Sequence, residues 1–179
     1  MRYVVLLRGV NVGGHRRVSK DDFKTVLESL GFYDVTIYIN SGNAVFSSDQ
    51  SVDDKTIQSA LENHFDFAIP TLVLSGEKII EIAQAIPDDW TNDPLKPDKS
   101  GQKSDVLYLF DSINSPDILE QIGYNPAIET MIYLDGAVLT TISRTNQMRG
   151  SLQKLIATKL YSQMTVRNIN TAVKLAQLV

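Results

Sequence analysis

A chain of 179 residues with 43% hydrophobic content and a mean hydropathy of −0.08 can bury the core of one or two small domains, and none of its apolar runs approaches the roughly 20 residues that span a bilayer. It has no cysteine, which removes disulfides, thiolate nucleophiles and cysteine metal sites together, and Met1-Arg2-Tyr3 runs straight into a strand pattern without the zones of a signal peptide, so the expected location is cytoplasmic. The net charge of −4 as a total speaks against a nucleic-acid binder, yet all 21 acidic residues fall between Asp21 and Asp135, and the stretches Met1 to Lys20 and Gly136 to Val179 carry only basic charge.

From Met1 to Arg8, Tyr3, Val5 and Leu7 alternate with Val4 and Leu6, so both faces are apolar and the pattern predicts a central strand covered on both sides. The loop that follows, Arg8 to Arg17, combines Gly9, Gly13 and Gly14 with Asn11, Arg8, His15, Arg16 and Arg17. It reads either as a cup for an anion or as a tight connection whose glycines supply positive φ. Ser19 with Asp22 resembles a capping box and opens a helix with Phe23, Val26, Leu27 and Leu30 on one face, ended by Gly31. Strand patterns from Asp34 to Asn40 and from Ala44 to Ser48 flank the turn triplet Ser41-Gly42-Asn43. Asp53 opens a second helix with Ile57, Leu61, His64 and Phe65 on one face, and Pro70 to Leu74 returns as a strand.

That order, β-α-β-β-α-β, predicts a ferredoxin-like unit. Ser75 then caps a helix from Glu77 to Ile86 that Pro87 stops. Between Pro87 and Lys103 the composition shifts to Pro, Asp, Lys, Asn and Gly, which reads as a linker or flap. Beyond it come a strand from Asp105 to Phe110, a short helix from Ser115-Pro116 to Gly123, and a hairpin of Thr130 to Leu134 with Ala137 to Ile142 across Asp135-Gly136. A helix through Leu152, Leu155, Ile156 and Leu160 follows, and a last one is capped by Asn168 or Asn170. The expected fold is therefore α+β with two small subdomains: residues 1–86 ferredoxin-like, residues 87–103 a linker, and residues 104–179 a βαββα unit with a C-terminal helix.

The glycines at 9, 13 and 14 match neither the phosphate-loop nor the dinucleotide fingerprint. Ser75-Gly76-Glu77-Lys78 fits S-x-x-K without the partner motifs of serine acyl enzymes. With two histidines, triads and histidine-rich metal sites are nearly excluded; His64 reads as a core residue, and His15 is the one candidate general base. Asp88, Asp89 and Asp93 make a poor cage for Mg²⁺ on a loop, and no metal or cofactor is expected.

Three polar clusters remain: Arg8 to Arg17, Asn40-Ser41-Gly42-Asn43, and Thr165 to Thr171. Within them L-L-R-G-V-N-V-G-G at Leu6 to Gly14, Y-I-N-S-G-N-A-V-F at Tyr38 to Phe46 and T-V-R-N-I-N-T at Thr165 to Thr171 resemble the signatures of an uncharacterised, mainly bacterial family, domain-of-unknown-function family 1697. The resemblance implies two α+β subdomains and no assigned activity. It departs at Ile169, where relatives often carry tryptophan, so an aromatic stacking role there does not transfer.

The expected function is a non-enzymatic binding module for an anionic small ligand, a nucleotide or phosphorylated metabolite. Its expected site is Arg8, Asn11, Gly13, Gly14, His15, Ser41, Asn43, Arg167 and Asn168. The alternatives are single-stranded nucleic-acid binding, which needs exposed aromatics on an open sheet, and an enzyme using His15. If the two basic ends meet they form one electropositive hollow; if they pack on the acidic middle they neutralise it instead.

Overall fold

A computed structural model describes residues 1–179. The chain divides into two compact units, Met1–Ile80 with Leu175–Val179, and Glu81–Lys174. The first holds strands β1 (Arg2–Leu7), β2 (Tyr33–Tyr38), β3 (Asn43–Ser47) and β4 (Thr71–Ser75) with helices α1 (Lys20–Ser29) and α2 (Asp54–Phe65). Its sheet runs β2-β3-β1-β4 and every pairing is antiparallel. Strand β1 is thus central, as its doubly apolar pattern predicts: Tyr3, Val5 and Leu7 join Phe23, Leu27, Phe46, Ile57 and Leu61 in the core, and Val4 and Leu6 on the other face are buried too.

The helices start where the side chains can satisfy their open N–H groups. Ser19 Oγ accepts the Asp22 N–H at 3.1 Å, and Asp53 Oδ2 accepts that of Thr56 at 3.0 Å. Helix α2 ends on Asp66 in the left-handed conformation. Helix α3 (Gly76–Gln84) is capped by Ser75, whose Oγ accepts the Lys78 N–H at 3.2 Å. Its Ile79 and Ile82 are buried.

The second unit contains β5 (Gln102–Leu109), α4 (Ile118–Ile122), β6 (Glu129–Leu134), β7 (Ala137–Ser143), α5 (Ser151–Leu155) and β8 (Met164–Asn168), and α6 (Ile169–Leu178) begins in it. Its sheet runs β6-β7-β5-β8, the first unit's order counted from its own first strand. Leu107, Leu109, Ile118, Met131, Val138 and Met164 form its core. The predicted hairpin closes at Leu134 opposite Ala137, with Gly136 at φ +87°.

Three expectations need correction. The βαββα series and C-terminal helix are present, but Thr165 to Asn168 belongs to a further strand, β8, and α6 starts only at Ile169. The helix expected through Leu160 stops at Leu155: Thr158 turns its hydroxyl and N–H onto the Leu155 carbonyl, and a 3₁₀ turn at Leu160–Gln163 follows. His64 is not a core residue; it stands at the surface with Nε2 3.8 Å from Asp22 Oδ1.

Strand β5 also begins earlier than its apolar pattern, because the end of the proline-rich stretch is hydrogen-bonded to it. Asp93 Oδ2 accepts from Thr91 Oγ1 at 2.6 Å and from the Gln102 N–H at 2.8 Å, and Arg144 donates to the Asp93 carbonyl. These bonds hold the Asp93 carboxyl below the usual aspartate range, the Thr91 hydroxyl contributing most. No helix of the protein is long and apolar enough to cross a membrane.

Candidate functional site

The loop after β1 folds back on itself. The Asn11 N–H donates to the Arg16 carbonyl at 3.0 Å and the His15 N–H to the Val12 carbonyl at 3.2 Å, making a miniature hairpin. Gly13 (φ +61°) and Gly14 (φ +79°) sit at its tip, both with the positive φ that a two-residue hairpin turn of type I′ requires. Val12, His15, Arg16 and Arg17 are all exposed on it.

Asn11 bolts this hairpin down. Its Oδ1 accepts the Val18 N–H at 2.9 Å, while its Nδ2 donates to the Val18 carbonyl at 3.0 Å and to the Asn40 carbonyl at 2.8 Å. One amide therefore closes the loop and ties it to the turn between β2 and β3. The same turn approaches β1 directly, the Leu7 N–H donating to the Gly42 carbonyl at 2.7 Å. Asn43, fully buried, steadies it by donating to the Tyr38 carbonyl (3.1 Å) and to Ser41 Oγ (2.8 Å). Two of the three polar clusters thus come together, and Asn11, Ser41 and Asn43 each serve as internal hydrogen-bonding groups of the joint.

At the foot of the hairpin lies an open cleft of about 650 Å³. Its walls come from four places: Asn11, Gly14 and Arg17 of the loop, Ser19, Lys20 and Asp22 at the start of α1, Asn40 of the turn, and Phe65 at the end of α2. Arg17 and Lys20 are exposed cations. Asp22 accepts from Ser19 Oγ at 2.6 Å, and Phe65 meets His64 edge-on with ring centres 4.7 Å apart. Phe65 packs against the core with the apolar face of α2 and Asp22 pairs with Ser19 at the start of α1, as the sequence pattern predicts, while the pattern does not mark Arg17 or Lys20 as ligands. The available signal was the run Arg16 to Lys20 entering a helix directly from a glycine turn.

The other predicted residues have settings of their own. Arg8 is half-buried, its N–H donating to the Pro70 carbonyl at 2.9 Å. In the second unit, Arg167 on β8 is buried and donates from Nη1 to Thr165 Oγ1 and to the Val166 carbonyl, each at 2.9 Å. Burial pulls its pKa down to about 10, with Tyr108 and Tyr161 opposing the fall. Tyr108, buried beside it in charge terms, has its hydroxyl pushed up by burial and without a hydrogen-bond partner. Asn168 is the cap of α6: its Oδ1 accepts the Thr171 N–H at 2.9 Å. Ile169, where the related pattern often has tryptophan, is buried at the first position of that helix.

The family model described as "Protein of unknown function (DUF1697)" matches residues 1–140. No curated protein sequence matches the chain significantly. Among solved structures, the conserved bacterial protein SP0830 from Streptococcus pneumoniae is similar over 99% of this chain and 97% of that one, with 26% sequence identity and a TM-score of 0.76.

Proposed function

The chain belongs to the family described as Protein of unknown function (DUF1697), and from that starting point we propose that it is a cytoplasmic, non-enzymatic binding module for a small phosphorylated ligand, held in the cleft at the foot of the glycine hairpin. The observation that carries this reading is the convergence of Arg17 and Lys20, both exposed, with the Gly14 backbone on one cavity of ligand size. An arginine offers a fork of donors that matches phosphate oxygens in pairs, and a lysine adds a mobile point charge. The hairpin is held by Asn11 before any ligand arrives, so less conformational freedom is lost on binding.

Arg8 and Arg167 are engaged where they stand, so the reading assigns the anion to Arg17 and Lys20 instead. Single-stranded nucleic-acid binding is less favoured because the aromatics it would use are covered: Tyr3 and Phe46 are buried and stacked at 5.7 Å.

The test is isothermal titration calorimetry with inorganic phosphate and ribose 5-phosphate, alongside thermal unfolding. Saturation at about 100 times Kd should stabilise the fold by about 2.7 kcal/mol. Replacing Arg17 and Lys20 together by alanine should abolish binding with the melting temperature of the unliganded protein unchanged. Binding that survives the double replacement would move the site elsewhere.

A further inference from the structure

Resting on the reading just given, we infer that the phosphate belongs to a nucleotide, whose base lies against Phe65 and turns an N–H edge toward Asp22. Asp22 caps α1 together with Ser19, and that role puts an acid in the wall of the cleft. Here the carboxylate of Asp22 lines the same cleft as Arg17 and Lys20 and would repel a simple phosphate. The mixed charge is matched by a ligand with a negative group at one end and hydrogen-bond donors at the other.

Phe65 supplies the third element. It is the one aromatic wall of the cleft, it lies only half-buried, and it is braced edge-on by His64 at 4.7 Å and tilted against Phe67 at 6.1 Å. A braced ring on a cavity wall is a stacking platform for a planar base, and every base presents a π-face. Asp22 is held in place for its part: its Oδ2 accepts from Ser19 Oγ at 2.6 Å, and its Oδ1 faces His64 Nε2 at 3.8 Å. A carboxylate has about four lone-pair sites, so after Ser19 it retains acceptors for a base edge such as that of guanine, where N1–H and the exocyclic amino group lie side by side.

The experiment compares guanosine 5′-monophosphate with ribose 5-phosphate by calorimetry on the full chain. The nucleotide should bind at least about tenfold tighter, the share expected of base stacking and edge recognition. Phe65→Leu should close most of that gap by weakening guanosine 5′-monophosphate several-fold more than ribose 5-phosphate. Asp22→Asn, nearly isosteric and able to keep the Ser19 contact, should also narrow the gap while leaving ribose 5-phosphate bound as well or better; it carries the test if the Phe65 variant melts early. Equal affinity for the two ligands, both lost on removing Arg17 and Lys20, would overturn the base assignment and leave phosphate binding standing. No binding of either would overturn both.

Discussion

Gly42 and Gly31 both lie at positive φ, +72° and +84°, yet they hold very different places. A Cβ on Gly42 would stand 2.7 Å from both Leu7 Cβ and Val10 Cγ2, inside the joint where the β2–β3 turn meets the end of β1; one on Gly31 would meet nothing within 4 Å. Alanine at position 31 bears only the left-handed backbone penalty, about 1–2 kcal/mol. At position 42 the same penalty adds to forced displacement of β1 side chains, for a loss of about 2–5 kcal/mol. Urea unfolding of the two variants checks the contrast: Gly42→Ala should lose much more stability than Gly31→Ala, and equal losses would mean that the turn does not press on β1. This joint sets the height of the glycine hairpin through Asn11 and Asn40, so Gly42→Ala should also disturb the cleft although it does not line it.

At the level of elements, the second unit's weakest-looking helix is secured by one acid. Helix α5 has five residues, too few to persist unaided. Glu129 on β6 is buried and accepts the Ser151 N–H and hydroxyl, both at 3.1 Å, and the Asn125 N–H at 2.9 Å. Glu129→Gln replaces one acceptor oxygen by a donor facing donors, which should destabilise the protein by about 1–3 kcal/mol, measured by chemical denaturation. The bonds that close Asp93 onto β5 give a pH prediction. Their carboxyl has a folded pKa below the unfolded one, so the stabilisation is complete above the ordinary aspartate value of about 3.9 and is lost as pH falls through the lower folded value. Hydrogen exchange at the Gln102 amide should stay protected at pH 5 and open on acidification below about pH 4. Opening already between pH 5 and 7 would contradict the assignment. The elements legible in the sequence were those with a clean signal: the two-sided apolar β1, the caps Ser19, Asp53 and Ser75, and the Asp135-Gly136 turn. Strand β8 escaped because only Met164 of its buried positions is apolar; the other two, Thr165 and Arg167, are polar, so no apolar alternation marks it. Helix α5 was read too long because Leu152 to Leu160 keeps helical spacing while Thr158 bonds locally. The joining of the first two polar clusters and the arrival of Phe65 and Asp22 in one cleft depend on strand pairing and on α1 packing beside α2, which local patterns do not encode.

Across the whole molecule, a net charge of −4 repels an anionic ligand at long range, so any phosphate site has to act through charges near at hand. Arg17 and Lys20 belong to the twenty-residue opening stretch that holds no acid, which makes that part of the first unit locally positive on an acidic chain. Both side chains are exposed, so salt screens them, with a Debye length of about 8 Å at 0.15 M and about 3 Å at 1 M. Stacking on Phe65 is not screened in this way. The two contributions therefore separate on a salt titration. From 50 mM to 500 mM NaCl, ribose 5-phosphate should weaken roughly three- to tenfold. Guanosine 5′-monophosphate should weaken by the same factor, so that its advantage over ribose 5-phosphate stays constant. Ribose 5-phosphate affinity that ignores salt would place the phosphate away from these two cations, and an advantage of the nucleotide that shrinks with salt would make its origin electrostatic rather than a base resting on an aromatic ring.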